Sequence, residues 1–182
     1  MKVLKLLLFT ATICFTTALH AQSSFESELH YLVKYSRALD EAVQDLQYET
    51  KKADNANTLY DLKHYSERAL KYENEIFQYL DDAVHASKSA KRRLYACDCY
   101  KRRKHFRASE RKLDEVTIRI EIIIKNIKNV YYSEYHDDGE HYIKNAIDEL
   151  DDIEEEIEDL IKYSKKALKV CDDDDDDDDD DD

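Results

Sequence analysis

One glycine, Gly139, and no proline occur in 182 residues. Turns that need a positive φ therefore have almost no supply, which argues against hairpin-rich β folds and for a few long helices. The apolar pattern agrees. Phe106, Leu113, Val116, Ile120, Ile123, Ile127 and Val130 recur at steps of three and four, as do Ile143, Ala146, Leu150, Ile153, Ile157, Leu160 and Ala167. Such spacing keeps one stripe on one helical face. Weaker stripes run through Leu32, Tyr35, Leu39, Val43 and Leu46, and through Leu62, Tyr65, Ala69, Tyr72, Ile76, Tyr79 and Ala83.

The stripes break at DNANT (54–58), near YACDC (95–99) and at SEYHDDGE (133–140), which predicts helices near 24–53, 58–95, 99–132 and 140–170. Ser23 with Glu26, Thr58 with Asp61 and Asp137 with Glu140 are the expected N-terminal caps. Short connections between four helices predict an all-α fold, an antiparallel up-down-up-down four-helix bundle. At an offset of 77 residues Leu39, Val43 and Leu46 fall on Val116, Ile120 and Ile123, and Asp61, His64, Tyr65, Ala69 and Ile76 fall on Asp138, His141, Tyr142, Ala146 and Ile153. A duplicated helical hairpin produces this match, and so does heptad spacing alone. The phrases KYSRAL (34–39), HYSERAL (64–70) and KYSKKAL (162–168) place Tyr-Ser and Ala-Leu pairs where helices crowd together.

The opening MKVLKLLLFTATICFTTALHAQ has two lysines, an uncharged stretch from Leu6 to Leu19 and a small residue, Ala21, at a plausible cleavage point. This is the pattern of a secretory signal peptide, too short for a comfortable membrane span. The expected organisation is a signal peptide over 1–21, a bundle over 22–171 and a disordered poly-aspartate tail over 172–182, with the mature chain soluble and secreted or periplasmic. Ile13 ahead of Cys14 disfavours a lipoprotein anchor. The signal ending TTALHAQ, Tyr-Ala-rich helices such as HYSERAL and the C-x-C between helices resemble small, uncharacterised exported helical proteins of Bacteroidetes-type bacteria. The resemblance implies an envelope or secreted location and brings no activity with it.

Cys97, Cys99 and Cys171 remain after the signal, an odd number for an exported chain. Cys99 lies on the stripe of the third helix, and Cys171 continues that of the fourth. In an antiparallel pair turning near residue 136 the two stand at one level, so a Cys99–Cys171 disulfide is expected, with Cys97–Cys171 as the substitute. An unpaired thiol or an intermolecular bond is the plainer alternative. C-x-C plus one distant cysteine lacks the spacing of structural zinc sites.

The chain carries 28 basic and 42 acidic residues, and eleven of the acids are the terminal aspartates. Between Lys88 and Lys112 the balance reverses: a basic cap holds Lys91, Arg92, Arg93, Lys101, Arg102, Arg103, Lys104 and Arg107 as candidate polyanion-binding residues. Tyr95 and Tyr100 beside them suit base stacking, although no nucleic-acid motif accompanies them. Asp172, Asp173, Asp174, Asp175, Asp176, Asp177, Asp178, Asp179, Asp180, Asp181 and Asp182 repel one another and cannot bury apolar area. At about 3.3 Å per residue they reach roughly 36 Å, enough to sweep the basic cap.

Two functional readings follow. In the first, the cap binds a polyanion such as nucleic acid, lipid headgroups or acidic polysaccharide, and the tail masks it as a tethered competitor. In the second, the tail gathers cations, binding calcium weakly or lying on a mineral or cationic surface. It lacks the spaced ligands and central glycine of an EF-hand. The plainer reading of both runs is a solubilising low-complexity expansion and a solvated helix face.

His136, Asp138 and His141, with His64 expected at the same bundle end, are suitable ligand types for a divalent metal, while helix-capping acids explain the turn equally well. Most of the fourteen tyrosines lie on or beside the stripes and read as packing with wet hydroxyls. A nucleophile elbow, a glycine-rich phosphate loop and HExxH are all missing from the sequence. The expectation is a binding or structural protein, not an enzyme, needing no cofactor beyond weak calcium and either monomeric or homodimeric.

Overall fold

The computed structural model describes the backbone of residues 2–94 and 99–169, and side chains from Ser24 onward. The described chain is helical with short connections. It comprises α1 (Lys2–Asp54), α2 (Leu59–Ala69), a 3₁₀ turn (Leu70–Tyr72), α3 (Glu73–Leu94), α4 (Tyr100–Tyr132) and α5 (His136–Lys169). The α2–α3 arm, α4 and α5 alternate in direction after α1. Each neighbours the next in a ring, with α1 between the arm and α5, and α4 closing the ring against α5 and the arm. This is the expected four-helix bundle.

Three predicted boundaries shift. Helix α1 runs unbroken through Ser23, so no helix N-terminus falls where Ser23 and Glu26 were expected to cap one. Helix α5 begins at His136, which puts Asp137 and Asp138 inside the first turn, where their charge suits the helix dipole. The second predicted helix is interrupted by a 3₁₀ turn at Leu70–Tyr72, whose Leu70 and Tyr72 pack only partly buried against the core. The Thr58 cap forms as expected: its Oγ1 accepts from the Asp61 amide at 3.1 Å and donates to the Asp61 carboxylate at 2.7 Å.

The predicted stripes are the core. Phe106, Val116, Ile127, Ile143, Ile153, Ile157 and Leu160 are fully buried, with Leu29, Leu32, Leu39 and Ile76 facing them. Phe25 and Phe106 meet edge to face with ring centroids 5.7 Å apart. A smaller cluster of Ala53, Leu62, Val130 and Ile143 seals the end holding the 54–58 and 133–135 turns. The serines of the recurring Tyr-Ser pairs, Ser36, Ser66 and Ser164, are buried, and Ser36 and Ser66 donate back to Leu32 and Leu62 carbonyls at 2.8 Å. Small side chains there let the helices approach closely. Arg119 fixes the register of α4 on α5 through Glu149, Asp152 and Glu156.

Burial repeats at the 77-residue offset. Leu29 and Phe106, Ala53 and Val130, Ala69 and Ala146, Ser87 and Ser164, and Ala90 and Ala167 are all buried pairs. Since 77 is a whole number of heptads, the seams alone would stay in phase. The turns agree too, because α2 and α5 begin at Leu59 and His136. Equivalent residues also meet across the bundle: the Arg102 guanidinium lies 5.7 Å from the Phe25 ring centre, and a Cβ on Gly139 would come within 2.5 Å of Leu62. The two hairpins are thus packed face to face in matching register.

Candidate functional site

Four chain segments converge at one end of the bundle. The Arg93–Glu28 and Lys91–Glu110 ion pairs join α3 to α1 and to α4, and Arg102 joins α4 to Glu26 on α1 and to the Leu168 carbonyl on α5. Residues 24–37, 88–94, 99–107 and 162–169 together hold fifteen basic side chains against Glu26 and Glu28. Basic residues of α1 and α5 thus gather at the same end as those of α3 and α4.

Its members do different things. Lys91 and Arg93 are engaged by Glu110 and Glu28 across helix pairs. Arg102 is not on the surface. It is 1% exposed, donates to Glu26 at 3.2 Å and to Leu168 at 3.4 Å, and packs beside Phe25. A residue so placed holds helix ends together and presents no charge to a ligand. Arg92, Lys101, Lys104 and Arg107 are exposed, and Arg103 is half-buried. Among the described residues no carboxylate lies within ion-pair distance of Arg103, Lys104 or Arg107.

These three residues line a shallow groove of about 520 Å³ along α4, together with Tyr100, Ala108 and Arg111. Arg103, Arg107 and Arg111 are successive i, i+4 positions, one turn apart at about 6 Å along the axis. Tyr100 is largely exposed at the groove's start. A row of guanidinium groups at helical pitch, with an aromatic face beside it, suits an extended anion bearing regularly spaced charges. The positions themselves do not demand basic residues: at the same offset the first hairpin has Glu26, Ser27 and His30 opposite Arg103, Lys104 and Arg107.

Sequence reasoning missed the contribution of α5. Lys162, Lys165, Lys166 and Lys169 are exposed on its last two turns, and with Arg37 of α1 they line a second groove of about 590 Å³ that also holds Asp40 and Glu158, while Lys162 is paired with Asp159 at 3.0 Å. The level argument that paired Cys99 with Cys171 would have found these lysines had it been applied to charge. Between the grooves, partial burial and then the charges of Lys166 and Lys104 hold His105 below the usual imidazole range. His105 thus feels the charge of lysines from both α4 and α5.

Cys99 is the N-cap of α4 and accepts from the Arg102 amide at 3.4 Å. Cys97, Cys171 and the aspartates 172–182 lie outside the described residues. At the opposite end the expected metal set does not assemble. His136, Asp137 and Glu140 place ligand atoms within 4.8 Å of one another, but Asp138, His141 and His64 do not join them. His136 is hydrogen-bonded to the Ala56 carbonyl at 3.2 Å and His141 to Asn145 at 3.2 Å, while His64 stacks edge-on against Tyr65. The first of these contacts ties α5 to the 54–58 turn, and the other two lie within α5 and α2. Among the described residues no helix is long and apolar enough to cross a membrane. No family model, curated protein or solved structure matches the chain.

Proposed function

We propose that the protein is an exported helical binding module, without enzymatic activity, whose cationic end takes up an anionic polymer and whose Asp172–Asp182 tail competes for the same surface. The observation that carries this reading is the α4 row of Arg103, Lys104 and Arg107, lacking ion-pair partners among the described residues, with Lys166 of α5 near enough to act on His105 within that row. A fold needs no such row, as the first hairpin demonstrates at the matching positions. Exposed basic side chains without carboxylate partners attract polyanions through counterion release and lose that affinity as salt rises.

The masking role of the tail rests on charge and reach. Lys169, the last described residue, lines the second groove, and the aspartates begin three residues after it in the chain. Contact between Arg102 and the Leu168 carbonyl holds the last turn of α5 against the first of α4, which supports a Cys99–Cys171 bond as the anchor of the tail's root. Such a bond contributes about 2–4 kcal/mol.

The deciding experiment measures binding of the oxidised chain to heparin and to single-stranded DNA at low salt, beside a chain stopped after Cys171, each with and without calcium. Tighter, salt-sensitive binding by the truncated chain is expected. If neither form binds polymer and only the full chain takes up calcium, the aspartates are the working element and the basic end is not.

A further inference from the structure

At the end of the bundle remote from the cationic surface, Tyr132, Tyr135 and Tyr142 line a recess of about 470 Å³ together with Asn129, Glu134 and Asp138. Tyr132 and Tyr135 are 78% and 68% exposed, which is unusual for rings that bury readily. Tyr131 stacks edge-on against Tyr132 at 5.6 Å and supports it from behind. Neither Glu134 nor Asp138 has a cation within ion-pair distance among the described residues.

The first hairpin builds its own turn with other residues at the matching positions. At the 77-residue offset, Tyr132 and Tyr135 correspond to Asn55 and Thr58, whereas Asp138 and Tyr142 correspond to Asp61 and Tyr65. Thr58 caps α2 with its hydroxyl. A phenol at the equivalent position, just before α5, holds its oxygen too far from its own backbone to cap in that way. At these two positions the second turn carries aromatic faces where the first carries none, and one of them stands where a hydroxyl caps α2.

We propose that this recess binds an organic ammonium group. Tyrosine faces attract a diffuse, weakly hydrated cation, and the pairing of aromatic walls with carboxylates is the means by which quaternary ammonium ligands are held. Glu134 and Asp138 supply the opposing charge, and a volume of about 470 Å³ falls within the range of small-molecule sites. A neutral sugar would use the rings but leave both carboxylates unneutralised. The site is independent of the cationic end and survives or fails without it.

The test is a choline titration of the full chain followed by NMR at the tyrosine rings, with the neutral isostere 3,3-dimethylbutan-1-ol and with glucose in parallel. Choline is expected to shift Tyr132, Tyr135 and Tyr142 with a dissociation constant of about 1–10 mM, while the isostere and glucose bind far more weakly. Tyr135→Thr and Asp138→Asn should each weaken choline by about threefold to fivefold without lowering the urea midpoint. Equal binding of the isostere, preferential binding of glucose, or choline shifts unchanged in a folded Tyr135→Thr chain would each overturn the assignment.

Discussion

Replacing Arg102 and Arg107 separately distinguishes a structural arginine from a ligand-binding one five residues away on the same helix. Arg102, in the first turn of α4, is 1% exposed, and its guanidinium lies 5.7 Å from the Phe25 ring centre. Truncation to alanine removes about two buried methylenes at roughly 0.8 kcal/mol each, adds the cost of an incompletely collapsed cavity and loses the bond to the Leu168 carbonyl. The Glu26 pair adds little, because that carboxylate is 34% exposed and screened. Relief of the charge's own desolvation works in the opposite direction. The expected net cost of Arg102→Ala is about 2–3 kcal/mol, or a fall in Tm of roughly 4–10 °C for a chain of this size. Arg102→Met keeps the stem and should cost under about 1.5 kcal/mol. Neither variant should change heparin affinity while folded. Arg107→Ala, on an exposed face, should leave stability within about 0.5 kcal/mol and reduce the dependence of log K on log salt by about one contact. Urea denaturation followed by circular dichroism, with a heparin-binding salt series on the same samples, reads both effects. Loss of heparin affinity in folded Arg102→Met equal to that in Arg107→Ala would refute the distinction.

Three other outcomes are expected. Because burial, Lys166 and Lys104 depress the His105 pKa in the folded state, this histidine lowers stability as pH falls from about 6.5 toward its folded value. A bound polyanion offsets the lysine charges, so NMR titration should show the His105 pKa rising on saturation with heparin and binding tightening from pH 8 to pH 6; an unmoved His105 would place the polymer elsewhere. Gly139→Leu should destabilise by about 1–3 kcal/mol through overpacking against Leu62, and adding Leu62→Ala should recover much of that loss, whereas simple additivity in urea melts would mean that the two sites do not share space. Tyr135→Thr should restore to α5 the cap that Thr58 gives α2 and raise stability by about 0.5–1 kcal/mol; a lower urea midpoint would show that the Tyr135 ring is part of the turn's packing.

Much of the architecture was legible because helices announce themselves locally. The stripes from Phe106 to Val130 and from Ile143 to Ala167 became the buried faces of α4 and α5, and Thr58 capped where its spacing with Asp61 required. Boundaries failed where the pattern was weakest: α5 started at His136 instead of near residue 140, and the 3₁₀ turn at Leu70–Tyr72 left no mark in the apolar stripe that runs through it. The site was read less fully. A run of basic residues is visible in sequence, but whether each charge faces solvent, a carboxylate or the core depends on helix phase and neighbours. Lys91 and Arg93 met glutamates from other helices, and Arg102 turned inward.

Sequence by itself determined that this chain would be a helical bundle, because glycine and proline are almost absent and apolar residues recur at helical steps. These are properties of single segments, set by backbone sterics and by which face must leave water. Only the tertiary structure decided that α5 lysines join the α4 arginines, that Arg102 is a strut, that the histidines do not converge, and that three tyrosines surround a recess beside two carboxylates. Those outcomes depend on which residues distant in the chain come within a few ångströms, and charge and ring interactions decay too quickly with distance for a one-dimensional pattern to reveal them.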